Sequence, residues 1–423
     1  MRTRSANRWL RPAALIAAGA LALSACAESG TEGDASGGEG VEFGTEKADF
    51  QAAFADVDPI KINTQVPAPK GSPITKNYED YFAAIEDWSD GKITFEVAWS
   101  NAVAPATETD DALADGRLDM GLVMAAYEPD KYPAYAALSD TSYMGNGNPL
   151  EMIMTPHGYV TEIVWDNEQV QKEFSDAGLK LLVPSFTGGV NSILCTEERR
   201  SLADLKGSQV RISGAAHAAE AKALGMSPVS LTFEEVYEGL QRGVLDCAFA
   251  GVTVVRLADL LSVSPHLILS NEASFAQVPS TLVMSQQAWD KLPLVAQQLL
   301  FDRLDVFVQS NMDSLVGLFR DVLGEVEGKG GTIAGLDADA QAALDKGNED
   351  FLEAIADNAA IEDGAGLIEQ IREKSEKWRA LVGELGYDTE VEYDEFPAWA
   401  QENEVDLTDF MAKVTEIQNE QRP

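Results

Sequence analysis

Histidine and cysteine each occur only three times in 423 residues, and acidic residues outnumber basic ones by 70 to 31. The histidines, His157, His217 and His266, lie far apart and build no zinc motif, so neither a metal nor a cofactor is expected. No Gly-x-Ser-x-Gly elbow and no His-Glu-x-x-His pair occur. The run from Gly324 to Gly330 has a phosphate loop's lysine, Lys329, but lacks the following Ser or Thr and succeeds a helical pattern, so it reads as a helix stop. Catalysis finds no anchor in these residues. A net charge of −39 repels nucleic acid and anionic lipid, and any anionic ligand must therefore meet a local positive group. Past the first 25 residues no hydrophobic run is long enough to span a bilayer, which needs ~20 residues.

What is present begins at the N-terminus. Arg2, Arg4, Arg8 and Arg11 precede an apolar run from Ala13 to Ala22, and Leu23-Ser24-Ala25-Cys26 follows. This is a charged region, a short apolar region and a small-residue cleavage site, as in an export signal over residues 1–25. Leu-Ser-Ala-Cys is similar to the bacterial lipobox, which implies a lipid on Cys26. Acyl chains there would each contribute ~0.8 kcal/mol per buried CH₂, enough in pairs to hold a soluble domain at a surface. The expected location is the outer face of the cytoplasmic membrane.

Residues 26–58 are rich in Gly, Glu, Asp, Ala and Ser and read as a flexible, self-repelling linker. From Ile60 strands alternate with helices. Strands are expected over Ile60–Val66, over Ile93–Trp99 and through Met120, Leu122 and Met124, with a helix over Tyr78–Trp88 between the first two. The alternation restarts at Leu179. Strands follow over 181–186, 192–195, 210–212 and 245–249, with helices over 215–224 and 233–241. The pattern predicts an α/β class with mostly parallel sheets, in two lobes. The first would span about 59–180 plus returning segments, the second about 181–285. Residues 286–423 read as helical, led by one helix over Ala288–Val326 of ~35 residues and ~50 Å. Further helices are expected over 338–356, 367–385 and 407–419. Cys195 and Cys247 fall on strands in an oxidising compartment, where they either pair or stand as two small buried residues.

The most informative stretch is 202–249. It contains Asp204-Leu205-Lys206-Gly207, then Val210-Arg211-Ile212-Ser213-Gly214, then Leu240-Gln241-Arg242-Gly243-Val244-Leu245-Asp246. This block resembles the extracytoplasmic solute-binding subunit of tripartite ATP-independent periplasmic (TRAP) transporters, of the dicarboxylate- and sialic-acid-binding type. Ala112 to Met120 is similar to the same family's entry into its third strand. The resemblance covers roughly Ile60 to Gly331. It implies a periplasmic-binding-protein-like fold with two lobes and a long inter-lobe helix, a small organic-acid ligand, and membrane subunits driven by an ion gradient.

Arg211 sits on a short apolar strand where a helix is about to begin, and a guanidinium grips a carboxylate through parallel hydrogen bonds. By itself that pattern equally fits a structural ion pair; the resemblance implies the carboxylate-binding arginine. Phe233 matches the family's pocket aromatic, and otherwise reads as core. A second arginine of sialic-acid binders maps near Asn191, and a polar contact after the family's strand Asp maps to Ala250, with Phe249 adding an apolar ring. These departures argue against a densely hydroxylated sugar acid and for a smaller or more apolar carboxylate. Trp99 and Tyr127, at strand ends of the first lobe, are bulky enough to stack on a ligand or to fill the core. A receptor for an ATP-driven importer and a secreted enzyme remain the alternatives from other classes.

Overall fold

A computed structural model describes residues 38–145 and 147–423; Cys26 and the export signal lie outside them. The first sheet contains β1 (Ile60–Val66), β2 (Ile93–Trp99), β3 (Met120–Val123), β4 (Leu179–Phe186) and β10 (Ser280–Ser285), in the order β2-β1-β3-β10-β4. The second contains β5 (Asn191–Cys195), β6 (Gln209–Ile212), β7 (Ser227–Ser230), β8 (Cys247–Gly251), β9 (His266–Ile268) and β11 (Ile333–Ala334), in the order β11-β9-β5-β8-β6-β7. Helices cover the faces, and the central strands β5, β8 and β10 are buried at every position. That is why they read as continuous apolar or small-residue runs rather than as alternating ones.

Both sheets are mixed, which corrects the expectation of mostly parallel ones. β10 runs antiparallel to β3 and β4, and β5 runs antiparallel to β8 and β9. The reversals come from chain crossings between the sheets, at 187–190 and again at 269–279. A strand returning from the other lobe runs against those wound within the lobe. For the same reason β4, expected in the second lobe, pairs in the first sheet.

The single long helix is broken in three, over Gln286–Trp289, Leu294–Asp302 and Leu304–Glu325. Pro293 cannot continue a helix and caps the second segment, while Arg303 turns the chain and lays its guanidinium 4.0 Å over the Trp88 ring. The last segment packs on Lys76–Trp88 of the first lobe and on Val252–Leu257 of the second, so it still braces both.

The linker is shorter than its composition suggests. Residues 47–53 are helical, Phe50 packs edge-on to Trp88 at 5.6 Å, and Phe54 and Val57 are buried. Val41 donates its N–H to Gln298 at 2.7 Å and accepts from Arg422 at 2.9 Å. Arg422 also forks onto the buried Asp302, at 2.7 and 3.0 Å. Near the C-terminus, the helix Gly364–Glu384 lies against Pro149–Asp166. Gly158 permits this approach, because a Cβ there would stand 2.2 Å from the Trp378 ring. No helix among the described residues is long and apolar enough to cross a membrane.

Candidate functional site

The cleft between the sheets is lined from both sides. Pro67, Ile74, Asn101, Leu122, Met124 and Tyr127 come from the first lobe. Asn191, Arg211, Ser213, Phe233, Thr253 and Leu257 face them from the second, and the crossing segments add Gly188, Gly189, Val278 and Ser280. The walls are mainly apolar with a few polar groups, as in small-molecule sites.

Arg211 is the only charged residue of this lining and is 2 % exposed. β6 carries it between β7 and β8, and neighbouring carbonyls fix its head: Nε donates to Leu231 at 2.9 Å and Nη1 to Phe249 at 2.8 Å. Nη2 reaches the phenol oxygen of Tyr127 at 3.5 Å. Burial presses its pKa down, with Tyr127 and Glu235 acting the other way. Among the described residues no carboxylate lies within ion-pair distance of it; Glu235 accepts instead from Thr232, at 3.1 Å from the N–H and 3.0 Å from the hydroxyl. A guanidinium held by neutral carbonyls, with N–H groups left over, is a preorganised anion site.

The other candidates divide. Phe233 and Tyr127 line the cleft, and burial raises the Tyr127 phenol, so it remains protonated. Asn191 lines it too, with Nδ2 donating to the Ala276 carbonyl at 2.5 Å. Beside it His217 bonds the same carbonyl at 2.7 Å, and burial lowers its pKa to about 3, so the ring is neutral. Phe249 is a correction: its ring is fully buried behind β8, stacked 4.5 Å from His217, and only its carbonyl serves the site, by holding Arg211. Trp99 is a second correction. It ends the edge strand β2, half-buried under Lys70 at 5.9 Å, outside the cleft lining.

Asn101, Pro67, Gly188 and Gly189 come from strand ends that the alternation places at a cleft. Ser100 and Asn101 both hold positive φ, 58° and 50°, so the chain turns sharply there, a conformation Asn tolerates better than most residues. Thr253, Val278 and Ser280 carried no local signal; Thr253 lies in the first turn of the helix directly after β8, and the crossing at 269–279 brings in Val278 and Ser280. Cys195 and Cys247 are bonded, directly opposite each other in the β5–β8 pair.

Two α/β lobes joined by crossing strands, with a fixed cation in a mainly apolar cleft, define a solute-binding protein of the periplasmic type. The chain belongs to the bacterial extracellular solute-binding protein family 7 (DctP), whose model matches residues 64–358. Among curated proteins, the ectoine-binding periplasmic protein TeaA of Halomonas elongata is 26 % identical over 162 residues, which is 38 % of this chain and 46 % of that protein's length. TeaA's solved structure superposes with a TM-score of 0.65 at 21 % identity, covering 75 % of this chain and 99 % of that one. A marine metagenome TRAP solute-binding protein specific for aromatic acid ligands gives 0.66 at 18 % identity, covering 76 % and 99 %. The pyroglutamic-acid-binding receptor DctP7 of Bordetella pertussis gives 0.62 at 15 %, covering 74 % and 99 %.

Proposed function

We propose that the protein is the lipid-anchored receptor of a TRAP transporter, capturing a small organic acid outside the cytoplasmic membrane and passing it to ion-gradient-driven membrane subunits. The observation that carries this reading is Arg211, a buried cation facing the cleft with no carboxylate in ion-pair distance among the described residues. An uncompensated buried charge costs several kcal/mol, and a ligand carboxylate offsets that cost. Solved structures of similar solute-binding proteins, one specific for aromatic acid ligands and one binding pyroglutamic acid, support an acid as ligand. No chemistry on the solute is proposed: the hydroxyl of Ser213 in the lining has His217 Nδ1 at 3.1 Å, but burial lowers that imidazole's pKa to about 3, which leaves it too weak a base to activate a nucleophile.

In this mechanism the carboxylate docks on Arg211 and the lobes close over it, provided the ligand favours the closed form. The lipid on Cys26 keeps the receptor near its membrane partners and raises its effective concentration there. Calorimetry across an organic-acid panel, with whatever co-purifies included, tests the ligand class. Arg211→Ala is expected to abolish measurable binding with the fold intact; unchanged affinity would refute the role. Cys26→Ser is expected to move the protein from the membrane fraction to the soluble one, and a variant that still fractionates with membranes overturns the anchor.

A further inference from the structure

The cleft does not end at Arg211. A second chamber shares the wall formed by Pro67, Ile74, Leu122, Gly188, Thr253 and Ser280, and continues to the bracing helix Leu304–Glu325. There the lining changes character. It adds Asn77, Tyr78, Asn311 and Ser314, and includes no Asp, Glu, Lys, Arg or His.

Two of these polar groups have no protein partner. Tyr78 is 2 % exposed, and neither its hydroxyl nor that of Ser314 makes a hydrogen bond among the described residues. The Tyr78 ring is fixed edge-on against Phe307 at 5.2 Å and Phe186 at 6.3 Å, so its hydroxyl cannot swing away to find one. Asn77, the second residue of the helix Lys76–Trp88, is 3 % exposed and lines the same chamber. Buried polar groups ordinarily find partners, and a set of orphans around one chamber is a recognition surface for something polar.

We propose that this chamber is a second subsite of the cleft, taking an uncharged hydrogen-bonding group of the solute such as a hydroxyl, carbonyl or amide. The assignment rests on the reading of Arg211 as the carboxylate anchor. Together the chambers offer one positive charge, a mainly apolar passage and a neutral polar end. They specify a monocarboxylate with a polar, non-ionic far end. A dicarboxylate would bury its second charge with no counter-ion, and so would a zwitterion's cation.

The test is calorimetry on the purified full chain with three matched series: butyrate, hexanoate and octanoate; their ω-hydroxy derivatives; and succinate, adipate and suberate. The matching ω-hydroxy acid is expected to bind about ten-fold tighter than its parent and than the diacid. Tyr78→Phe, which retains the ring packing, is expected to erase that advantage while leaving the parent acid's affinity unchanged. Ser314→Ala is expected to act in the same direction. Equal affinities for parent and hydroxy acids in the natural protein would overturn the subsite, as would a preference for the diacid or an equal loss for both acids in Tyr78→Phe. Failure of the carboxylate reading is separately visible: Arg211→Ala would leave hexanoate binding unchanged, or 1,6-hexanediol would match 6-hydroxyhexanoate. No binding by any of these acids overturns both.

Discussion

Arg211 and Tyr127 meet across the cleft, Nη2 lying 3.5 Å from the phenol oxygen, although one stands on β6 of the second sheet and the other just beyond β3 of the first. The contact links the lobes through the group that would bind the ligand. It is long for a hydrogen bond, so its contribution is modest, on the order of 1 kcal/mol or less.

Tyr127→Phe follows from that weakness. The variant keeps the ring at the cleft and removes a weak acceptor for Nη2 and for the Phe233 backbone, so affinity for an acid ligand is expected to change by less than about ten-fold. In solution scattering the ligand-free variant is expected to show a slightly larger radius of gyration, because one tie between the lobes is gone. Loss of binding as complete as in Arg211→Ala would mean that the phenol is itself an essential ligand contact.

Much of this arrangement was legible in the residues. Strands β1 and β2 begin and end where their alternation indicates, and Arg211 and Phe233 were reached through one block of resemblance. The errors have physical causes. Phe249 is suggested by the run after the family's strand Asp and Trp99 by its place at a strand end, but which way a strand residue points depends on the sheet face, and pleat parity is invisible until the pairing partners are known. Phe249 thereby offers the site a carbonyl instead of a ring. The helix Pro149–Asp166 is buried on nearly every side, so no broad polar face marks it in the sequence. Pro293, by contrast, was a readable stop signal inside the expected long helix. The polar group at Tyr78 was hidden by its own context, since a tyrosine in a helix of apolar period reads as core.

The disulfide Cys195–Cys247 closes a separation of 52 residues and lies one residue pair from the strand contact between Arg211 and Ala248. By loop-closure entropy it stabilises the folded chain by about 4 kcal/mol. The double variant Cys195→Ala with Cys247→Ala is expected to unfold at lower denaturant concentration by that order, while affinity for an acid ligand falls only a few-fold, because the β5–β8 ladder persists. Mass spectrometry with and without reductant checks the bond, and two free thiols in the native protein would remove the basis of the expectation.

Stability should fall as pH rises through neutrality, and Glu220 is one source. Its carboxyl is 1 % exposed on the helix Ala215–Ala223, one oxygen accepting from the Ala276 N–H at 2.8 Å and the other without a partner. Burial raises its pKa from 4.5 to about 8, with Asp140 nearby adding to the shift, and burial raises Asp140 itself from 3.8 to about 7. His217 lies on the same helix and Tyr143 packs close to it, the former neutral and the latter protonated throughout this range. Above their ordinary values these two carboxyls lose protons in the unfolded chain and keep them in the folded one. The folded state therefore binds more protons, and stability declines with rising pH until the folded pKa values are passed. Buried His157 and His217, lowered from 6.5 to about 4 and about 3, have the opposite slope, but only below 6.5. Between pH 6.5 and about 8 Glu220 and Asp140 act, each by on the order of 1 kcal/mol per pH unit at most, and the more exposed Glu128, raised to about 7 by burial and by Asp110, adds in the same direction. Glu220→Gln keeps the shape and an acceptor for Ala276 while removing the titration. Its melting temperature is expected to vary less over that interval than that of the natural protein, and parallel curves for the two would show that Glu220 does not hold its proton in the folded state.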